Sequence, residues 1–89
     1  MAVKVKVTSV LQKVTGAKVV EGDGGTVAEL LSNLDTTYPG FEQQIMQEGH
    51  LHRFVNIYLN DEDIRYLDQL DTRVKDGDTI SILPALAGG

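Results

Sequence analysis

The chain has 89 residues, a hydrophobic fraction of 42%, a charged fraction of 24% and a net charge of −5, from 8 Lys+Arg against 13 Asp+Glu. That length makes one domain, and the composition excludes a collagen-like repeat, a coiled coil and a disordered tail. The absence of cysteine excludes a disulfide framework, thiolate metal and iron–sulfur sites and a cysteine nucleophile.

Residues 3–8, Val-Lys-Val-Lys-Val-Thr, alternate with period two, which predicts a strand with Val3, Val5 and Val7 inward. Residues 17–21 predict a second strand after a turn at Thr15-Gly16, the pair forming a hairpin across a loop from Ser9 to Gly16. Gly22 to Gly25 breaks the pattern. Thr26 followed by Glu29 is a capping box, and Val27, Leu30, Leu31, Leu34 and Tyr38 form one apolar helical stripe that Pro39-Gly40 ends. Phe41 to Glu48 predicts a short second helix, with Phe41, Ile45 and Met46 on the core edge. Phe54 to Leu59 is β-rich and apolar on both faces, as a central strand would be. Asn60 to Asp63 is expected to turn, Ile64 and Arg65 to start a short strand, and Asp68 to Thr72 to form a loop with one helical turn, Leu67 and Leu70 packing inward. Lys75-Asp76-Gly77-Asp78 is a tight turn requiring a positive φ at Gly77. Thr79 to Ile82 alternates as a last strand, which ends at Leu83 because Pro84 lacks the donor that would extend it.

One main helix and four to five strands in this order imply an α+β fold: a ubiquitin-like β-grasp, with a mixed sheet and the helix packed on one face. The first and last strands then lie side by side and parallel, and the chain leaves from the middle of the sheet. The domain spans 1–83 and a flexible tail spans 84–89.

An acidic chain whose densest basic feature is Lys4 and Lys6 makes a poor grip on phosphate backbones, so no nucleic acid is expected. A basic protein partner suits it better, since opposite potentials steer encounter. No apolar run approaches the roughly 20 residues that cross a bilayer. The alternating amino end lacks the apolar core of a signal peptide, so a cytoplasmic, monomeric protein with no membrane contact is expected.

Internal chemistry is sparse. His50 and His52 have ligand character, but no third ligand follows from spacing, and a solvated loop is the ordinary alternative. Asp61-Glu62-Asp63 has hard-cation character, but a solvated turn is the ordinary reading of such a run. No serine sits in a G-x-S-x-G setting, and Gly22 to Gly25 lacks the Lys and Ser/Thr of a phosphate loop. No catalytic residue, metal site or bound cofactor is expected, and the chain is not read as an enzyme. The carboxyl end differs. Pro84, Ala85, Leu86, Ala87, Gly88 and Gly89 make a thin segment of small side chains, and glycine leaves access to a narrow channel unobstructed. The Gly89 carboxylate is a poor electrophile, so chemistry there requires activation by another protein, as an acyl-adenylate.

This ending, Asp76-Gly77-Asp78, then an apolar strand, Pro84 and Gly88-Gly89, resembles that of the MoaD/ThiS sulfur carriers. The stretch Leu51 to Arg65 is similar to the matching segment of the branch of that family serving thiocarboxylate-dependent cysteine biosynthesis. The resemblance implies that an E1-like, ATP-dependent adenylyltransferase and sulfurtransferase activates Gly89 and converts it to a thiocarboxylate. It implies two further partners, a PLP-dependent cysteine synthase and a zinc-dependent JAMM-type metalloprotease that releases the product. ATP, PLP and zinc then belong to those partners. Other members would make this chain the small subunit of molybdopterin synthase, a thiamine sulfur carrier or a ubiquitin-like covalent modifier. Strand alternation turns Phe54, Tyr58 and Leu83 outward beside the root of the tail, an apolar patch suited to a partner interface, with Arg53 and Arg65 flanking it to pair with acidic residues of the partner.

Overall fold

The alternating valines at the amino end form β1 (Val3–Val7), with Val3, Val5 and Val7 buried and Lys4 and Lys6 exposed. The computed structural model describes residues 2–7, 10–47, 50–51 and 55–84. The connection expected to be a loop carries a helix instead, α1 (Val10–Thr15). Its valines and threonine favour strands and it is under two turns long, so propensity gives no signal there. Burial of Leu11 in the core holds it in place. β2 (Val19–Gly22) starts later than the expected residue 17 and pairs antiparallel with β1, Val5 opposite Val20.

The main helix, α2 (Val27–Thr37), begins as its capping box requires. Thr26 Oγ1 accepts from the Glu29 N–H at 3.2 Å. Glu29 Oε1 accepts from the Gly25 N–H at 2.8 Å, one residue before the cap rather than at it. Val27, Leu30, Leu31 and Leu34 are buried, each contributing about 1.5–3 kcal/mol when fully removed from water. Gly24 lies against the first turn: a Cβ there would stand 2.5 Å from the Leu30 backbone nitrogen, so only glycine fits. α3 (Phe41–Ile45) is shorter than the expected 41–48. Phe41 and Ile45 fill the core edge as anticipated, but the chain extends at Met46, and β3 (Met46–Gln47) pairs with β4 (His50–Leu51).

β5 (Val55–Leu59) turns at Asn60-Asp61 into β6 (Glu62–Asp63). The turn is thus two residues rather than the expected four. Asn60 takes the left-handed φ of 57° that asparagine tolerates. The strand expected from Ile64 is a 3-10 helix, Ile64–Tyr66, because Asp63 Oδ1 accepts from the Arg65 N–H at 2.9 Å and bends the chain. A second 3-10 turn, Gln69–Asp71, provides the expected helical turn, with Leu67 and Leu70 partly buried against the core. Gly77 has φ 90°, and Asp78 N–H donates to the Lys75 carbonyl at 3.0 Å, closing the predicted tight turn. β7 (Thr79–Pro84) runs one residue beyond the expected end at Leu83.

The main sheet has the order β2-β1-β7-β5-β6, with β1 and β7 parallel and the other pairs antiparallel. Its inward residues share one core with α2 and α3, as the β-grasp expectation requires.

Candidate functional site

β7 is the middle strand, so the last described residue, Pro84, ends a strand flanked by β1 and β5. The backbone register explains why a proline can sit in it. Lys4 N–H donates to the Asp78 carbonyl at 3.0 Å, and Asn60 N–H donates to the Thr79 carbonyl at 2.7 Å. Backbone groups of residues 78, 80, 82 and 84 therefore turn toward β1, and those of 79, 81 and 83 toward β5. The last described β1 pair is Val7 with Ile82, and Pro84 turns its donor-less nitrogen toward the β1 side, away from β5. The β5–β7 ladder therefore loses no bond, and Pro84 pairs with Val55. The remaining tail residues, Ala85, Leu86, Ala87, Gly88 and Gly89, lie outside the described residues.

The sheet face turned away from the core forms the surroundings of that root. One row crosses all five strands: Val19, Lys6, Ser81, Tyr58 and Asp63. Toward the exit, Leu83 lies opposite Asn56. Tyr58 is half-buried, Leu83 is 39% exposed and Val19 is 45% exposed. Tyr58, Ser81 and Leu83 border a shallow cleft of about 270 Å³ with Asn60 and Asp61. Two of the three expected patch residues, Tyr58 and Leu83, thus share a face at the tail root. Phe54 and Arg53 lie outside the described residues. Lys6 and Val19 join the same face from strands distant in sequence, which alternation within any one strand does not reveal.

Arg65 stands in the 3-10 helix and its Nη2 donates to the Val55 carbonyl at 3.2 Å. Nothing in the linear sequence signals this contact; the expectation for Arg65 is a place beside the patch, pairing with acidic residues of a partner. The acidic run divides: Asp61 is in the turn, Glu62 and Asp63 are in β6, and the Asp63 carboxylate accepts the Arg65 N–H. His52 lies outside the described residues, as does the side chain of His50. Among the described residues no group of three His, Cys, Asp or Glu is placed to hold a metal. A larger cleft of about 670 Å³ lies at the other end of β7, bordered by Asn60, Arg73, Lys75 and Asp78.

The sequence profile described as the ThiS family matches residues 5–89. The chain is 44% identical to the sulfur carrier protein CysO of Mycobacterium tuberculosis over 93 aligned positions, covering 100% of both chains. Its fold matches a chain in the crystal structure of the Amycolatopsis orientalis BexX/CysO complex with a TM-score of 0.92 and 45% identity, covering 99% of this chain and 100% of that one. It matches the small archaeal modifier protein 1 of Methanosarcina acetivorans with a TM-score of 0.86 and 34% identity, covering 99% and 96%. A matched sequence profile running through Gly88-Gly89, joined to a β-grasp core with its last strand at the centre, establishes that the chain belongs to the ThiS family.

Proposed function

We propose that this chain is a sulfur carrier for cysteine biosynthesis whose reacting group is the Gly89 carboxylate. ATP transfers AMP to that carboxylate with loss of pyrophosphate, in the active site of an E1-like enzyme. A sulfide-level donor then displaces AMP and leaves a thiocarboxylate. The family match that runs through the terminal Gly-Gly carries this reading, and the full-length similarity to CysO favours the cysteine pathway over molybdopterin or thiazole synthesis. At a PLP-dependent synthase the thiocarboxylate sulfur becomes that of cysteine, and an S-to-N acyl shift leaves the cysteine joined to Gly89 by an amide. A JAMM-type protease hydrolyses that amide to free cysteine and the original carboxylate. The chain supplies no catalytic group. It supplies a rigid sheet, a docking face formed by Tyr58 and Leu83 with Phe54 and Arg53, and a thin tail from Pro84 to Gly89.

The test is intact mass after incubation with ATP, sulfide and the activating enzyme. Replacement of one carboxylate oxygen by sulfur is expected on the native chain. It is expected to vanish, with the fold intact by circular dichroism, when Gly88-Gly89 is deleted or one Ala is added after Gly89. Thiocarboxylation of the extended chain would overturn the assignment of Gly89. A second reading, covalent attachment to lysines, is favoured by the similarity to the archaeal modifier. It predicts higher-mass conjugates that are stable to thiols.

A further inference from the structure

The two strands that meet at the tail root are held unequally along their length. β5 pairs with β7 over five positions, but β6 covers only Tyr58 and Leu59 on the other side of β5. Since Asn60 directs its N–H to β7, Asn56 and Tyr58 also direct their backbone groups to β7, while Val55 and Ile57 direct theirs toward the β6 side. At Val55 β6 has already ended, and the Val55 carbonyl would face that side without a strand partner. The Arg65 guanidinium takes the place of the missing strand, donating to that carbonyl at 3.2 Å.

Arg65 is itself held from two directions. The Asp63 carboxylate accepts its N–H at 2.9 Å, and its neighbour Ile64 is 1% exposed in the core. The hydrogen bond thus runs from a fixed 3-10 turn to the residue directly opposite Pro84, the last residue of β7. A charged donor makes a stronger bond to a carbonyl than a neutral one. The position of Val55 sets the position of the final β5–β7 pairs, and those pairs set the direction in which the chain leaves Pro84.

We propose that Arg65 is a positioning residue: it fixes the start of β5 against the end of β7 and so aims the tail, in place of serving mainly as a contact for the partner's acidic residues. The proposal rests on the carrier reading for its functional consequence. If the tail is misaimed while the docking face is intact, the activating enzyme still binds the carrier but delivery of Gly89 to the adenylate falters.

The experiment compares the full chain with Arg65→Met, which keeps the aliphatic stem and removes every donor. Amide hydrogen exchange on the free protein is expected to show a roughly tenfold loss of protection at Asn56 and Leu83, with Val5 and Ile80 unchanged. Steady-state adenylation with the E1-like enzyme is expected to show kcat lower by about tenfold and KM within about twofold. Unchanged exchange together with a raised KM would overturn the proposal and make Arg65 a partner contact. A uniform loss of protection across the sheet would overturn it too, as general structural support. If the native chain itself is not adenylated, the carrier reading falls, and exchange at Asn56 and Leu83 still decides whether Arg65 fixes the strand end.

Discussion

At its start, β7 is tied down by backbone and side-chain bonds on both flanks; at its finish stands a residue with no N–H to tie. Thr79 has its carbonyl bonded by the Asn60 N–H and its N–H bonded to Asn60 Oδ1 at 3.1 Å. On the other side Lys4 N–H reaches the Asp78 carbonyl, and the preceding turn binds the amino end through Asp76 Oδ1 and the Ala2 N–H at 2.9 Å. Asp78 is 9% exposed and accepts the Lys75 N–H at 3.0 Å. At Pro84, by contrast, the nitrogen turned toward the β1 side has no N–H to offer. One strand therefore joins a firmly bonded base to an end that cannot donate on one flank. A carrier needs that asymmetry, because its reacting group must be rigidly launched yet free to enter another protein.

The contrast predicts that the base responds in stability and the exit in activity. Ile80→Ala removes a fully buried side chain at the base and is expected to cost about 2–5 kcal/mol in urea unfolding. Asp78→Ala removes the buried carboxylate that accepts the Lys75 N–H and is expected to cost about 1–3 kcal/mol by the same measurement. Asn60→Ala loses the bond to the Thr79 N–H and places alanine at φ 57°, for about 1–2 kcal/mol together, and Asn60→Gly should recover the conformational part. At the exit, Leu83→Ser is expected to shift stability by less than about 1 kcal/mol while raising KM for the activating enzyme severalfold. Pro84→Ala sharpens the comparison most: it restores one N–H on the flank away from β5, and stability is expected to move by less than about 0.5 kcal/mol. A loss comparable to that of Asp78→Ala would mean the exit is as firmly tied as the base.

Much of this was legible because local rules and burial agreed. The valines of β1, the Thr26–Glu29 cap and the apolar stripe of α2 each state their element within a few residues, and Gly77 announces its turn. The failures cluster where a short segment is decided by what it packs against. α1 has no periodicity long enough to read, and is held by Leu11. The 3-10 turn at Ile64 replaces an expected strand because Asp63 caps it and Ile64 finds the core. The end of α3 falls early because Met46 and Gln47 pair with His50 and Leu51.

The main helix, the inward residues of β1 and β7 and the Gly-Gly ending follow from the linear chain, because alternation, capping and small side chains are properties of neighbours in sequence. Which strand stands beside which end of β7 does not. That Pro84 turns its nitrogen away from β5, that Lys6 and Val19 share a row with Tyr58, and that Arg65 reaches Val55 depend on register between strands far apart in the chain. Register is set by closing one core around all of them together, so only the folded molecule contains it.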